Sequence, residues 1–170
     1  MRLRAVRADD LPVLQAGSAG DDPFGFFGFT ATNALELRFA ENGMISDSAG
    51  TLIVEDESAD GMVVGSVGWF AVQHGPSSTA RALNIGIALL PEHRGRGLGT
   101  AAQAAFASYL FENTLIERLE ASTDVDNRAE QRALEKAGFH REGVARHAQF
   151  RAGHWHDLVV YSRLRGDRFT

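Results

Sequence analysis

The feature that most constrains this chain is an abrupt change of pattern just past its middle. Residues 81–90 read as an apolar strand, Pro91 interrupts them, and the run Arg94-Gly95-Arg96-Gly97-Leu98-Gly99 follows. Beyond it Ala102, Ala105, Phe106, Tyr109 and Leu110 recur at intervals of three and four residues, the spacing of one helix face. Proline cannot donate to a sheet ladder, and closely spaced glycines weaken the interior of a strand or helix. The chain must therefore turn sharply from a strand into a helix here. Such a turn gathers the unpaired N–H groups of a helix start at the positive end of its dipole, and glycine lets a ligand approach them without a Cβ in the way. Arg94 and Arg96 can add charge-assisted hydrogen bonds. Those are the donors a diphosphate needs. The dinucleotide pattern Gly-x-Gly-x-x-Gly fails, because the glycines fall at 95, 97 and 99, and no Gly-Lys-Ser/Thr of a P-loop exists. The plainer alternative is a tight strand-to-helix turn that binds nothing.

The rest of the pattern builds around this unit. A short strand is predicted near residues 2–6, with Asp9 or Asp10 capping a helix through Leu11, Pro12 and Leu14. Residues 17–29 read as a loop. A helix follows over 31–42, with Leu35, Phe39 and Leu37 on its apolar side. Strands at 51–55 and 62–72 are divided by Asp60-Gly61, and residues 73–80 form a polar loop before the strand at 81–90. After the central helix come a strand near 117–123, a helix from about Asn127 to Ala137 stopped by Gly138, and two strands around Ala152-Gly153. The order is roughly βααβββαβαββ. It predicts an α/β (α+β) fold, a mixed twisted sheet flanked by helices in a single domain spanning 1–170.

Composition narrows the function. The chain has 170 residues and no cysteine, so a disulfide framework and a cysteine nucleophile are excluded. Residues 1–80 carry 4 Lys+Arg against 11 Asp+Glu, whereas 81–170 carry 13 against 11. With no basic patch, nucleic acid is not an expected partner. No stretch approaches a membrane span, and a cytoplasmic location is the default expectation.

The segment Leu89-Leu90-Pro91-Glu92-His93-Arg94-Gly95-Arg96-Gly97-Leu98-Gly99 resembles the Q/R-x-x-G-x-G/A motif of the GNAT N-acetyltransferase superfamily. A second segment, Asn127 through Glu135, Lys136, Gly138 and Phe139, is similar to that family's N-x-x-S-x-x-x-x-E-K-x-G-F run, in the form of its RimJ/RimL-like branch. Glu142-Gly143 and then Phe150, Gly153, Trp155, Asp157 and Tyr161 look like that branch's closing strands. The resemblance is strong over about 80–165 and general over 1–79. It implies an acetyl-CoA-binding core over the first range and an acceptor-side segment over the second. It also implies acetyl transfer from acetyl-CoA to the amine of a small molecule or a protein N-terminus, by direct attack in a ternary complex. The strand before the turn is expected to splay from its neighbour, with Ile87, Ala88 and Leu89 along the pantetheine arm. Arg94, Gly95, Arg96, Gly97, Leu98, Gly99 and Thr100 would take the pyrophosphate. Asn127, which can also cap its own helix, would contact CoA. Homodimers are common in the family and are a further expectation here.

The proton-handling positions depart from the family. Leu134 stands where many members carry an acidic Tyr, Glu130 where the branch often has Ser, and Gln149 where some members have Glu. Glu130 is a candidate acid or base if burial shifts it, against the alternative of a solvated first-turn Glu; His147, on a predicted strand, is a second candidate for exchanging protons near neutral pH. Tyr109, on the apolar side of its helix, and Tyr161, in the closing strand, are expected to be structural. His154 and His156 share a strand face, but no third ligand is marked and no metal is expected. Asp21, Asp22, Phe24 and Phe26 form an acidic–aromatic stretch that could hold a cationic amine, or else a loop whose rings plug the core. Two other readings stay open: a non-catalytic acyl-CoA-binding module of the same fold, and an unrelated nucleotide-binding protein with a glycine turn.

Overall fold

A computed structural model describes residues 1–18 and 33–167. The elements follow the order read from the sequence: β1 (Arg2–Ala5), α1 (Leu11–Ser18), α2 (Ala34–Asn42), β2 (Ala49–Asp56), β3 (Met62–Gln73), β4 (Arg81–Leu89), α3 (Leu98–Asn113), β5 (Arg118–Asp124), α4 (Arg128–Lys136), β6 (His140–Arg151) and β7 (His154–Leu164). The strands form one seven-stranded sheet in the order β1-β2-β3-β4-β5-β7-β6. β4 and β5 are parallel and every other neighbouring pair is antiparallel. A parallel pair needs a crossover, and α3 supplies it.

Local chemistry accounts for the joints. The β2–β3 connection turns through Asp60 (φ 56°) and Gly61 (φ 73°), and the two-residue β6–β7 hairpin through Ala152 (φ 49°) and Gly153 (φ 81°). Gly138 (φ 84°) ends α4, with Gly138 N donating to Glu135 O and Phe139 N to Leu134 O. Glycine is also forced at Gly50, where an added Cβ would lie 2.0 Å from the Trp69 ring.

Both faces of the sheet are covered. On one, Phe106, Ala107 and Leu110 of α3 and Leu134 of α4 close over Leu83, Ile85, Leu119, Val159 and Tyr161. On the other, Leu11, Leu14, Leu35 and Phe39 of α1 and α2 pack on Val6, Met44 and Ile53. Two assignments change. Leu37, expected on the apolar side of α2, is 60% exposed, because that face is set by Leu35 and Phe39 four residues apart. Tyr109, expected on the apolar side of α3, is 37% exposed. The face is filled by Ala102, Phe106 and Leu110 at steps of four, and Tyr109 falls off its edge. The expected loop over 17–29 begins in the helix, since α1 runs to Ser18; most of it, with Asp21, Asp22, Phe24 and Phe26, lies outside the described residues.

Candidate active site

The site is built where β4 and β5 part. They pair only at Leu83↔Leu119 and Asn84↔Glu120, after which β4 continues to Leu89 with no partner in β5. On its other side β4 stays in register with β3 down to Gly65↔Leu89. The approach there is so close that a Cβ on Gly65 would lie 2.2 Å from Ala88 O. Ile87 and Leu89 turn their side chains to the α3 core, whereas Gly86 and Ala88 are exposed. A slot beside β4 is thus open to solvent and lined by small residues.

The turn beyond it is held from both ends. Leu90 N donates to Val64 O (3.0 Å), and Arg94 Nε reaches back to Leu89 O (3.0 Å). Gly95 (φ 73°) and Gly97 (φ 79°) take the left-handed conformation that glycine adopts without strain. Gly97 is the N-cap of α3 and has no side chain to offer. The N–H groups of Leu98, Gly99 and Thr100 precede the first intrahelical bond, from Ala101 N to Gly97 O (3.2 Å). Among the described residues beyond its chain neighbours, a Cβ on Gly95 or Gly97 would meet nothing within 4 Å, and one on Gly99 would meet Leu89 Cδ1 at 3.5 Å. The turn is an open concavity of donors, which fits a phosphate group. Arg94, expected with Arg96 to add charge-assisted bonds to the anion, also holds the end of β4 through Leu89 O; Arg96 is exposed beside it.

The second motif flanks the slot from β5. Asn127 caps α4, its Oδ1 accepting from Glu130 N (3.2 Å). The β5–α4 turn is pinned by Gln131 Nε2, which donates to Asp124 O (3.1 Å) and Val125 O (2.8 Å). Glu130 is partly buried in the first turn of α4, and burial pushes its carboxyl up to about 7. The amide of Gln103, on α3, pulls the other way, although its Nε2 is buried and makes no hydrogen bond of normal geometry. Gln103 is 2% exposed. Its signal in the sequence is a polar residue three and seven positions before the core residues Phe106 and Leu110.

The other candidates are placed as follows. Leu134, at the usual Tyr position, is fully buried in the core. Tyr161 is also fully buried and donates its hydroxyl to Glu135 Oε1 (3.1 Å), and its pKa is raised by burial and by that carboxylate. His147 lies in a bulge of the edge strand β6 (φ 49°), stacked on Trp155, with its N–H bonded to Asp157 Oδ1 (2.8 Å). All of these contacts stay within the β6–β7 hairpin. His154 is exposed, while His156 Nδ1 lies 3.1 Å from Asp124 Oδ2. That carboxylate is buried against Arg151, whose guanidinium also bonds the Gln149 side chain. Among the described residues no group of three or more His, Cys, Asp or Glu is arranged to hold a metal.

On the opposite face of the sheet, a cleft of about 200 Å³ opens between α1, α2 and the strands, and reaches Ala88. Among the described residues, none of the acids of the first half lines it. Asp10 and Glu55 are buried against Arg4, Asp56 is bonded to Ser58, and Glu57 pairs with the amino group of Met1.

Comparison with known proteins agrees with this geometry. The model of the acetyltransferase (GNAT) domain family matches residues 1–140, and the chain belongs to that family. The match starts in β1 and stops at the beginning of β6, so the first half carries the family pattern as much as the glycine turn does, and the closing hairpin lies outside it. Among curated relatives, "Probable N-acetyltransferase YjcK" of Bacillus subtilis is 36% identical over 110 residues, 65% of this chain and 59% of that protein. "Putative ribosomal N-acetyltransferase YdaF" of the same organism is 32% identical over 139 residues, 76% of each. The chain therefore spans less than two thirds of the first of these relatives. The fold is shared with spermidine N-acetyltransferase from Vibrio cholerae, solved with CoA and spermine (TM-score 0.82, 20% identity, 98% of this chain and 96% of that one).

Proposed function

We propose that this protein is an acetyl-CoA-dependent N-acetyltransferase that acts on a primary amine in a ternary complex. The observation that carries the reading is the parting of β4 from β5 beyond Asn84, which leads directly into the glycine turn and the uncapped start of α3. In this reading the diphosphate rests on the turn from Arg94 to Thr100, and the pantetheine arm runs along Ile87, Ala88 and Leu89 with Asn127 across from it. Bound acetyl-CoA supplies the activated acetyl group. The acceptor amine enters from the cleft on the α1–α2 face; a C–N bond forms as the C–S bond breaks, the amine gives up a proton and the departing sulfur takes one up.

Glu130 is the residue we assign to the sulfur. What supports the assignment is that α3 and α4 cover the sheet face opposite the cleft, the side away from the incoming amine in this reading. Near neutral pH the raised pKa of Glu130 keeps it partly protonated, the state a general acid needs. The contacts of His147 stay within the β6–β7 hairpin. The RimJ/RimL-like branch is supported by Glu135-Lys136 ahead of Gly138-Phe139 and by the likeness to YdaF. Calorimetry with CoA, ATP and NAD, followed by thiol release from acetyl-CoA over an amine panel, tests the reading. Selective CoA binding with turnover supports it. CoA binding with no turnover on any amine supports the non-catalytic module, and preference for ATP or NAD sinks both.

A further inference from the structure

The described residues that line the cleft reaching Ala88 are mostly apolar and include a single charge. Val13 and Leu14 of α1, Leu35 of α2 and Met44 make it apolar, and the hydroxyls of Thr51 and Ser66 supply its neutral polar groups. Among the described residues its one charged lining residue is Arg38, on the same face of α2 as Leu35 one turn earlier. Among the described residues Arg38 makes no ion pair or hydrogen bond, not even with Glu41 a turn later on α2. Other arginines of the molecule are committed: Arg4 to Asp10 and Glu55, Arg118 to Glu120 and Glu142, Arg151 to Asp124, and Arg165 to the carbonyls that end α3. An unpaired guanidinium beside an apolar cleft offers a planar fork that matches a carboxylate. The same charge opposes a second ammonium, and among the described residues no acid on the cleft wall offsets it.

From this we infer that the acceptor is an amine that also carries a carboxylate, an amino-acid-like molecule with an apolar body, and not a polyamine. The inference rests on the acetyltransferase reading of the same site and adds the acceptor's class to it. The apolar side chain fills the wall between α1 and α2, the carboxylate pairs with Arg38, and the amine is delivered at the small residues Gly86 and Ala88, where β4 is open.

The test compares the parent with Arg38→Leu, a change at an exposed helix position. Acetyl-CoA and thiol release are used with leucine, methionine, leucinamide and spermidine. In the parent, leucine is expected to exceed leucinamide in kcat/KM, and Arg38→Leu should reduce the ratio of the two by roughly ten- to a hundredfold, the size of a charge-assisted pair. Comparing the ratio between the two proteins cancels the different basicities of the two amines. CoA affinity, read by calorimetry, should be the same in both. A preference for spermidine or leucinamide in the parent, or an unchanged ratio in Arg38→Leu, overturns the inference while leaving the acetyltransferase reading intact; failure to bind CoA overturns that reading first. A readout independent of turnover is thermal stabilisation of the parent–CoA complex by N-acetyl-leucine compared with N-acetyl-leucinamide. Equal shifts, or none, overturn the inference even where no amine on the panel reacts.

Discussion

Glu130→Gln should stabilise the folded protein at pH 8 and leave it unchanged near pH 4.5. The folded carboxyl titrates near 7 and an ordinary one near 4.5, so between these values the folded state holds more protons than the unfolded state. The contribution is therefore fully present below about pH 4.5 and is lost as pH rises through about 7. The shift from 4.5 to about 7, at 1.36 kcal/mol for each pH unit, gives a loss of about 2–3 kcal/mol, the lower end reflecting the solvent contact Glu130 keeps. Glutamine keeps the shape and an acceptor for the Gln103 amide, but does not titrate. Its stability should stay flat across the window, and the two proteins should diverge by about 2–3 kcal/mol at pH 8, roughly 4–12 °C in Tm for a chain of this length. Urea denaturation at pH 4.5, 5.5, 7 and 8, followed by the fluorescence of Trp69 and Trp155, reads this directly. Parallel curves for the two proteins would refute the argument, because they would show that burial does not perturb this carboxyl. The same group should govern catalysis. If protonated Glu130 serves the leaving sulfur, kcat should fall as pH rises through about 7, and the Gln variant should lose that limb along with about 10²–10⁴ in rate.

Three further expectations follow from the geometry. Arg96→Ala should weaken CoA binding by about 1.5–3 kcal/mol with no change in Tm, whereas Gly97→Ala, forced to φ near 79°, should lower both; calorimetry and thermal denaturation separate the two effects. Tyr161→Phe should cost about 1 kcal/mol, through the lost bond to Glu135, and keep kcat within about tenfold; a thousandfold loss with normal CoA binding would make Tyr161 the acid. Asp124→Asn should destabilise by about 3–5 kcal/mol in urea, because it leaves Arg151 buried with its counter-charge removed, and the double change Asp124→Leu/Arg151→Met should recover most of that.

Most of the backbone frame was legible because its signals are local. Pro91, the glycines at 95, 97 and 99, and the three-and-four spacing after them mark a strand-to-helix joint without reference to the rest of the chain. Asp60-Gly61, Ala152-Gly153 and Gly138 mark turns and a helix stop in the same way, and each takes positive φ in the structure. What escaped is what depends on distant partners. Nothing near Arg4 in sequence says that its guanidinium, which meets Asp10, is shared with Glu55, 51 residues beyond Arg4. Asp124 likewise finds Arg151 only through the β5–β7–β6 pairing. Charge counting could not see this burial: several acids of the first 80 residues are spent inside the fold, Asp21 and Asp22 lie outside the described residues, and among the described residues the charge on the cleft wall is the cation Arg38.

The topology explains why the chemistry divides as it does. A parallel β4–β5 pair can separate without breaking a hairpin, because no tight turn ties the two strands together; α3 leaves β4 at the end that opens, returns the chain to the paired start of β5, and keeps the core filled while the slot stays open. The opening communicates with both faces of the sheet. On the α3–α4 face, the donors are fixed by helix starts and by Asn127, and the carboxyl of Glu130 is shifted by being packed between helices. On the α1–α2 face, the cleft is shaped by Val13, Leu14, Leu35 and Arg38, residues on short helices whose packing depends on the smaller core around Met44. Substitutions on the first face should therefore alter CoA affinity and the pH profile for every acceptor alike. Substitutions on the second should reorder acceptors while leaving CoA affinity unchanged. A variant of Arg38 that changed CoA affinity as much as acceptor choice would break this division.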